Sequence, residues 1–251
     1  MILFVKLVKM NYFCNMKKIL LILAALTVIL QAASAQSDSS SPFELYSTEN
    51  GVFGVDLISH LGVGAHLYSA DNFTPKTFGS FEAFFNLVNL KIYPIPAVGI
   101  EAGADLEFNW FRSIDNYFYT DSDRNFKVGK FIDIAGEGAS KLKSNADFFG
   151  LNFPVLLKLR FGEFRIGAGA QAMLNFSAGA DYHHQRGNMV TDISFKDAKA
   201  NLFSYAFIGQ LSYSVFGVYF KYYPKQPVFF PATEGAPSMK NLMTVGLQIG
   251  F

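Results

Sequence analysis

Between Ala146 and Asp181 large apolar residues occupy every second position, and the phase inverts once on the way. Phe149, Leu151, Phe153, Val155, Leu157, Leu159 and Phe161 form the first row, with Phe148, Gly150, Asn152, Pro154, Leu156, Lys158 and Arg160 between them. Past Gly162-Glu163 the apolar row passes to Phe164, Ile166, Ala168, Ala170, Ala172, Leu174, Phe176 and Ala178, set against Arg165, Gly167, Gly169, Gln171, Met173, Asn175, Ser177 and Gly179. A period of two puts each row on one face of a strand, so the segment reads as a hairpin.

The length of the alternation sets the class. Soluble strands run about 5–6 residues, and these rows run more than twice that. About 9–11 tilted residues cross a bilayer, and strands in lipid must close into a barrel so that no backbone edge stays unpaired. The predicted fold is all-β: an eight-stranded antiparallel up-and-down transmembrane β-barrel, apolar row to lipid and mixed row to the lumen. A soluble ligand-binding barrel is the rival, and it would reverse the faces.

The rest of the chain carries the same pattern. Gly51 to Tyr68 alternates with Asp56, His60 and His66 on the lumenal side. Gly79 to Tyr93 places Glu82 and Asn86 on one parity but Asn89 and Lys91 on the other, which predicts a β-bulge near Leu87 to Asn89. After the Pro94-Ile95-Pro96 turn, Glu101, Gly103, Asp105, Glu107 and Asn109 share a face opposite Ile100, Ala102, Ala104, Leu106, Phe108 and Trp110. Asn201 to Ser214, Phe216 to Tyr223 and Lys240 to Phe251 supply the last three strands. The connections Ser69 to Thr77, Arg112 to Asn145, Tyr182 to Lys196 and Lys225 to Ser238 read as long polar loops, and those between them are short turns. This segregation fits long extracellular loops and short periplasmic turns, with both chain ends periplasmic.

The start of the chain fits export. Met16-Lys17-Lys18, the apolar run Ile19 to Leu30 and Gln31-Ala32-Ala33-Ser34-Ala35 have the basic, apolar, small order of a signal peptide. Residues 1–35 are thus expected to be removed, with translation beginning at Met1, Met10 or Met16. Residues 36–50 form a periplasmic lead and 51–251 the barrel. Cleavage leaves 216 of the 251 residues, and it removes Cys14 together with Lys6, Lys9, Lys17 and Lys18 and no acid, so a net charge of +1 becomes −3. Nothing in that balance suggests nucleic acid.

The polar set with most chemical content is lumenal: Asp56, Glu82, Glu101, Asp105, Glu107, Lys158, Arg160, Arg165 and Lys221. A barrel this small is filled by side chains or holds one small ligand, so opposite charges there are expected to pair. Two apparent motifs fail on context. Gly167 to Ala172 matches a dinucleotide fingerprint but lies inside a strand rather than opening a helix. Asp121-Ser122-Asp123-Arg124-Asn125 begins like a calcium loop but has Phe126 and Ile132 where Gly and Glu are required, and reads as a solvated loop. His60, His66, His183 and His184 pair with no nucleophilic serine on a strand. Phe43, Tyr46, Trp110, Phe111, Tyr117, Phe118, Tyr119, Tyr182, Tyr222, Tyr223, Phe229 and Phe230 are read as interface girdles.

Three stretches resemble the outer-membrane protein β-barrel domain family, small porin-like barrels of Gram-negative-type bacteria. They are Gly150 to Lys158, with its embedded Pro154, the glycine-rich Arg165 to Ala170, and the terminal Gly246-Leu247-Gln248-Ile249-Gly250-Phe251. The resemblance implies an outer-membrane location in contact with lipid, and a signal for the barrel-assembly machinery in Gly246, Leu247, Ile249 and Phe251. The expected function is an integral outer-membrane protein that is not an enzyme and has no cofactor or metal, acting structurally or by surface interaction, with residues 112–145 as the segment that would meet an extracellular partner. A narrow porin through the charged lumen is the alternative, and a lipid-modifying outer-membrane enzyme a third.

Overall fold

A computed structural model describes residues 44–47, 52–225 and 228–250. The predicted signal peptide and most of the lead, the Phe43 side chain and Phe251 of the proposed assembly signal lie outside the described residues. The described part from Leu45 onward is one compact unit.

Its strands are β1 (Glu44–Ser47), β2 (Phe53–Leu57), β3 (His60–Ala70), β4 (Phe81–Ile95), β5 (Val98–Ser113), β6 (Asn116–Thr120), β7 (Phe126–Lys130), β8 (Ser140–Phe161), β9 (Phe164–Arg186), β10 (Met189–Phe195), β11 (Phe203–Tyr213), β12 (Phe216–Tyr222) and β13 (Met239–Gly250), with one short helix, α1 (Phe131–Ala135). Eight of them pair edge to edge in the order β4, β3, β13, β12, β11, β9, β8, β5, and β5 returns to β4, so the sheet closes. Every pairing in the ring is antiparallel. Strand β2 continues the path of β3 along β4, and β10 folds back on the far end of β9.

The distribution of polarity is that of a barrel in lipid. Val155, Leu157 and Leu247 on the outer face are 52%, 53% and 64% exposed, whereas Glu82, Glu107 and His66 inside are fully buried. An apolar exterior this continuous is untenable in water, which disposes of the soluble rival and leaves the transmembrane barrel. The turns joining β4 to β5, β8 to β9 and β11 to β12 lie at one end, here the turn end, with the start of β2 and the end of β13; the longer connections lie at the other, the loop end.

Parity survives except where a residue is inserted. The register between β4 and β5 shifts between Asn86 and Val88, placing the expected bulge at Leu87. Opposite it, Ile58 adopts a positive φ of 53° and its N–H donates to Leu87 O at 3.3 Å. Glu82, Phe84 and Asn86 before the bulge and Asn89, Lys91 and Tyr93 after it then all avoid the exterior. A second shift, between Phe149 and Gly150 opposite β9, inserts Phe176. It corrects the predicted row: Ala178, read as facing lipid, is buried inside.

Two predicted loops are also corrected, and a third remains a loop but is not polar throughout. Residues 112–145 are mostly structured: β5 runs on to Ser113, β6 and β7 form a separate hairpin, α1 follows, and β8 begins at Ser140. Residues 182–196 are the end of β9 and the hairpin it makes with β10. In the connection after β12, Val228, Phe229 and Phe230 are buried.

Candidate functional site

From the loop end inward the lumen is closed by aromatic rings. Phe111 of β5 and Phe148 of β8 share the lumenal parity of Glu107 and Asn152, and the loop residues Phe229 and Phe230 descend on them with ring centroids 5.0–6.0 Å apart. Phe118 and Phe126, from the β6–β7 hairpin, complete the cluster, with Phe126 packed edge-on to Phe230 at 5.0 Å. Phe111, Phe118, Tyr223, Phe229 and Phe230 are therefore not girdle residues, since all are buried in this plug. Trp110 keeps an outer position, stacked on Phe81 at 4.6 Å. His66 joins the plug to the polar interior: its ring stacks on Phe111 at 4.6 Å and its Nδ1 lies 2.9 Å from Thr244 Oγ1.

Below the plug lies a charged core. Lys221 Nζ stands 2.5 Å from Glu107 Oε2 and 2.7 Å from Glu82 Oε1, all three side chains at most 2% exposed. Glu107 also accepts hydrogen bonds from Asn109 Nδ2 at 2.9 Å and from Asn152 Nδ2. Glu82 accepts one from the Tyr223 hydroxyl at 3.1 Å. Multiple donors on each carboxylate are what makes such burial tolerable. Tyr219 packs alongside, edge-on to Phe84 at 5.2 Å and over two glycines. Gly246, its direct ladder partner, and Gly64 lie beneath its ring, and a Cβ at either would come within 2.4 Å of it.

Toward the turn end Asp56 pairs with Lys91, and Asp105 accepts from Asn86 Nδ2 at 2.6 Å. Glu101 accepts from the Tyr93 hydroxyl at 2.5 Å and faces Lys158 at 3.7 Å and Arg160 at 3.6 Å. Lys158 also donates to Gln210 Oε1. The structure thus brings eight of the nine predicted charges into contacts inside the barrel. The ninth, Arg165, lies exposed at the mouth, with no ion pair among the described residues. Lys91 adds a cation outside the predicted nine, paired with Asp56. The parity change at Leu87 was the signal for it.

Of the histidines, His60 lines the turn-end cavity beside Asp105 and Lys158, whereas His183 and His184 lie on the loop-end hairpin. His60 Nδ1 is 2.8 Å from Ser59 Oγ. His183 pairs with Asp192 across the β9–β10 hairpin, and His184 stacks on Tyr182. Of the proposed assembly signal, Gly246, Leu247 and Ile249 lie on β13, with Leu247 outward and Gly246 beneath Tyr219.

Closed antiparallel ring, apolar exterior and ion-paired interior together define the class, a transmembrane β-barrel of the outer-membrane type. No family model matches the chain, and no curated protein matches it. Among solved structures it is similar to the outer membrane protease OmpT from Escherichia coli, at 12% identity and a TM-score of 0.33, over 79% of this chain and 95% of that one. A likeness at that level transfers neither a site nor an activity. The expectation that this chain is not an enzyme meets a solved barrel that is a protease, and it is not carried forward.

Proposed function

We propose that the chain is an integral outer-membrane protein, akin to the small outer-membrane barrel domain proteins it resembles, whose lumen is occluded and whose work is done at the loop end, facing outward. The observation that carries this reading is the plug of Phe111, Phe148, Phe229 and Phe230, which fills the bore above the Lys221 ion pairs. With that path filled, what the protein offers its surroundings is the structured loop end. There the β9–β10 hairpin exposes Met189, Val190 and Ile193, and α1 exposes Ile132 and Ile134. Apolar side chains held outward on ordered elements suit contact with an extracellular partner better than polar, unstructured loops would.

Orientation and location are tested by cysteine labelling of whole cells, since the only native cysteine is Cys14. Met189→Cys is expected to react with a membrane-impermeant maleimide, and Glu163→Cys, in the β8–β9 turn, only after lysis. Labelling of Glu163→Cys alone in intact cells would reverse the orientation, and labelling of neither before lysis would remove the chain from the cell surface.

A further inference from the structure

The turn-end mouth of the lumen gathers three cations, of which Arg165 has no ion pair among the described residues. Lys158, Arg160 and Arg165 stand there against two carboxylates, Glu101 and Asp105; the closest donor to Glu101 is the Tyr93 hydroxyl at 2.5 Å, and its distances of 3.7 and 3.6 Å to Lys158 and Arg160 are beyond good hydrogen bonds. Lys91 is occupied by Asp56, and Lys221 by Glu82 and Glu107. Asp105, the other carboxylate near the mouth, is held by Asn86. Arg160 and Arg165 are direct partners across the β8–β9 ladder, an arrangement of like charges that destabilises a sheet. The Arg160 guanidinium lies 3.6 Å over the Tyr93 ring, while Arg165 stays exposed.

Behind these groups is a cavity of about 70 Å³ lined by Lys158, Arg165, Gln171 and Gln210, and also by the carboxylates Glu101 and Asp105. Gln171 is 2% exposed, and its Nε2 has no hydrogen-bond partner, which is costly for a buried donor. Lys158 reaches the same space because its stem lies over its ladder partner Gly167, where a Cβ would approach Lys158 Cδ to 2.8 Å.

Lys158, Arg165 and an unsatisfied buried amide donor line one small polar cavity, and the Arg160 guanidinium stands at its rim as the ladder partner of Arg165. From this we infer that the turn-end mouth binds a phosphate-bearing anion, held by Arg165, Arg160 and Lys158 with Gln171 Nε2 as a further donor. Guanidinium groups match phosphate oxygens in pairs, and an anion there relieves the repulsion between Arg160 and Arg165. Two sources supply this chemistry: free phosphate, or the headgroup of an anionic phospholipid in the leaflet at the turn end. The headgroup source rests on the membrane reading above, whereas the free anion does not.

The test uses the chain from Gln36 to Phe251, refolded in detergent, and its Arg165→Gln and Gln171→Leu variants, with folding checked by heat-modifiability on gels. Inorganic phosphate is titrated and followed by ³¹P NMR. In parallel, barrels released from nanodiscs of phosphatidylglycerol or phosphatidylcholine are weighed by native mass spectrometry. Phosphate binding weakened at least tenfold in Arg165→Gln identifies a free-anion site. Selective retention of phosphatidylglycerol, lost in Arg165→Gln, without phosphate binding, identifies the headgroup. If neither ligand binds, if phosphatidylcholine is retained equally, or if folded Arg165→Gln binds as the parent does, the site does not exist. Gln171→Leu is a second check, since it removes a donor without changing charge and is expected to weaken the same ligand severalfold.

Discussion

Lys221 Nζ and Glu107 Oε2 meet at 2.5 Å inside the barrel, and Glu82, on the strand beside that of Glu107, reaches the same ammonium at 2.7 Å. Strand β12 supplies the cation, and β4 and β5 the two carboxylates. Strands that are not ladder neighbours are thereby tied through the lumen, and the tie exists only when the ring is closed.

Removing the cation should therefore cost far more than a surface charge. Lys221→Met leaves two buried carboxylates side by side without their cation and is expected to destabilise the barrel by about 3–5 kcal/mol. Adding Glu82→Gln and Glu107→Gln to it should recover much of that loss. Urea unfolding in lipid vesicles measures both; equal stability of Lys221→Met and the parent would show that the pair holds nothing.

Tyr219 on Gly246 and Gly64 predicts a steric coupling. Gly246→Ala places a methyl where the ring now lies and is expected to cost about 1–3 kcal/mol. Most of that penalty should vanish in a Tyr219→Ala background. Additive losses in the double-mutant cycle would argue that Gly246 matters for backbone or assembly reasons instead.

The β6–β7 segment should not be dispensable. Phe126 and Phe131 are buried, the first within the plug. Deleting residues 122–138 is expected to lower the yield of heat-modifiable barrel, and Phe126→Ala alone to cost about 3–5 kcal/mol. A deletion variant that folds as well as the parent would mean that the segment only covers the mouth and does not stabilise it.

Asp121 gives a pH-dependent reading of the same hairpin. Its carboxylate is held below the usual range, first by the Asn125 backbone N–H at 2.9 Å, then by the Asn125 side chain, the Asp123 N–H at 3.0 Å and nearby Lys127. A depressed folded-state pKa means that the contribution is complete above the unfolded value of about 3.9 and is lost as pH falls through the lower folded value. Protection of the Asn125 amide in hydrogen exchange should thus persist at neutral pH and fall away in acid below about pH 4. In Asp121→Asn that acid-dependent loss should disappear; an unchanged profile would assign the protection to the ladder alone.

Much of the barrel was legible because parity is strict wherever one face meets lipid. In β5, β8, β12 and β13 the lumenal residues follow from alternation alone, and the conflict between Asn86 and Asn89 located the Leu87 bulge. The bulge at Phe176 had no comparable signal: Ser177, Ala178, Gly179 and Ala180 are small enough for either face. Beyond the lipid the constraint lapses, so the extensions of β5, β8 and β9 read as loops although their backbones remain paired. The plug was half visible, with Phe111 sharing parity with Glu107, and Tyr223 with Lys221. Position near a strand end suggested a girdle for Phe111 and Tyr223, and no local pattern marks Phe229 and Phe230 as residues that fold back inside. Arg165 has lumenal parity, but it stands at the first turn of β9, where a long side chain reaches water.

Planar-bilayer conductance of the refolded chain from Gln36 to Phe251 tests the occluded lumen most directly. A folded parent barrel is expected to be electrically silent, and a variant with Phe111, Phe229 and Phe230 all changed to Ala, if heat-modifiable, to pass current. Steady, ion-selective conductance by the parent, altered by Lys158→Gln, would contradict the account and make the charged lumen a channel.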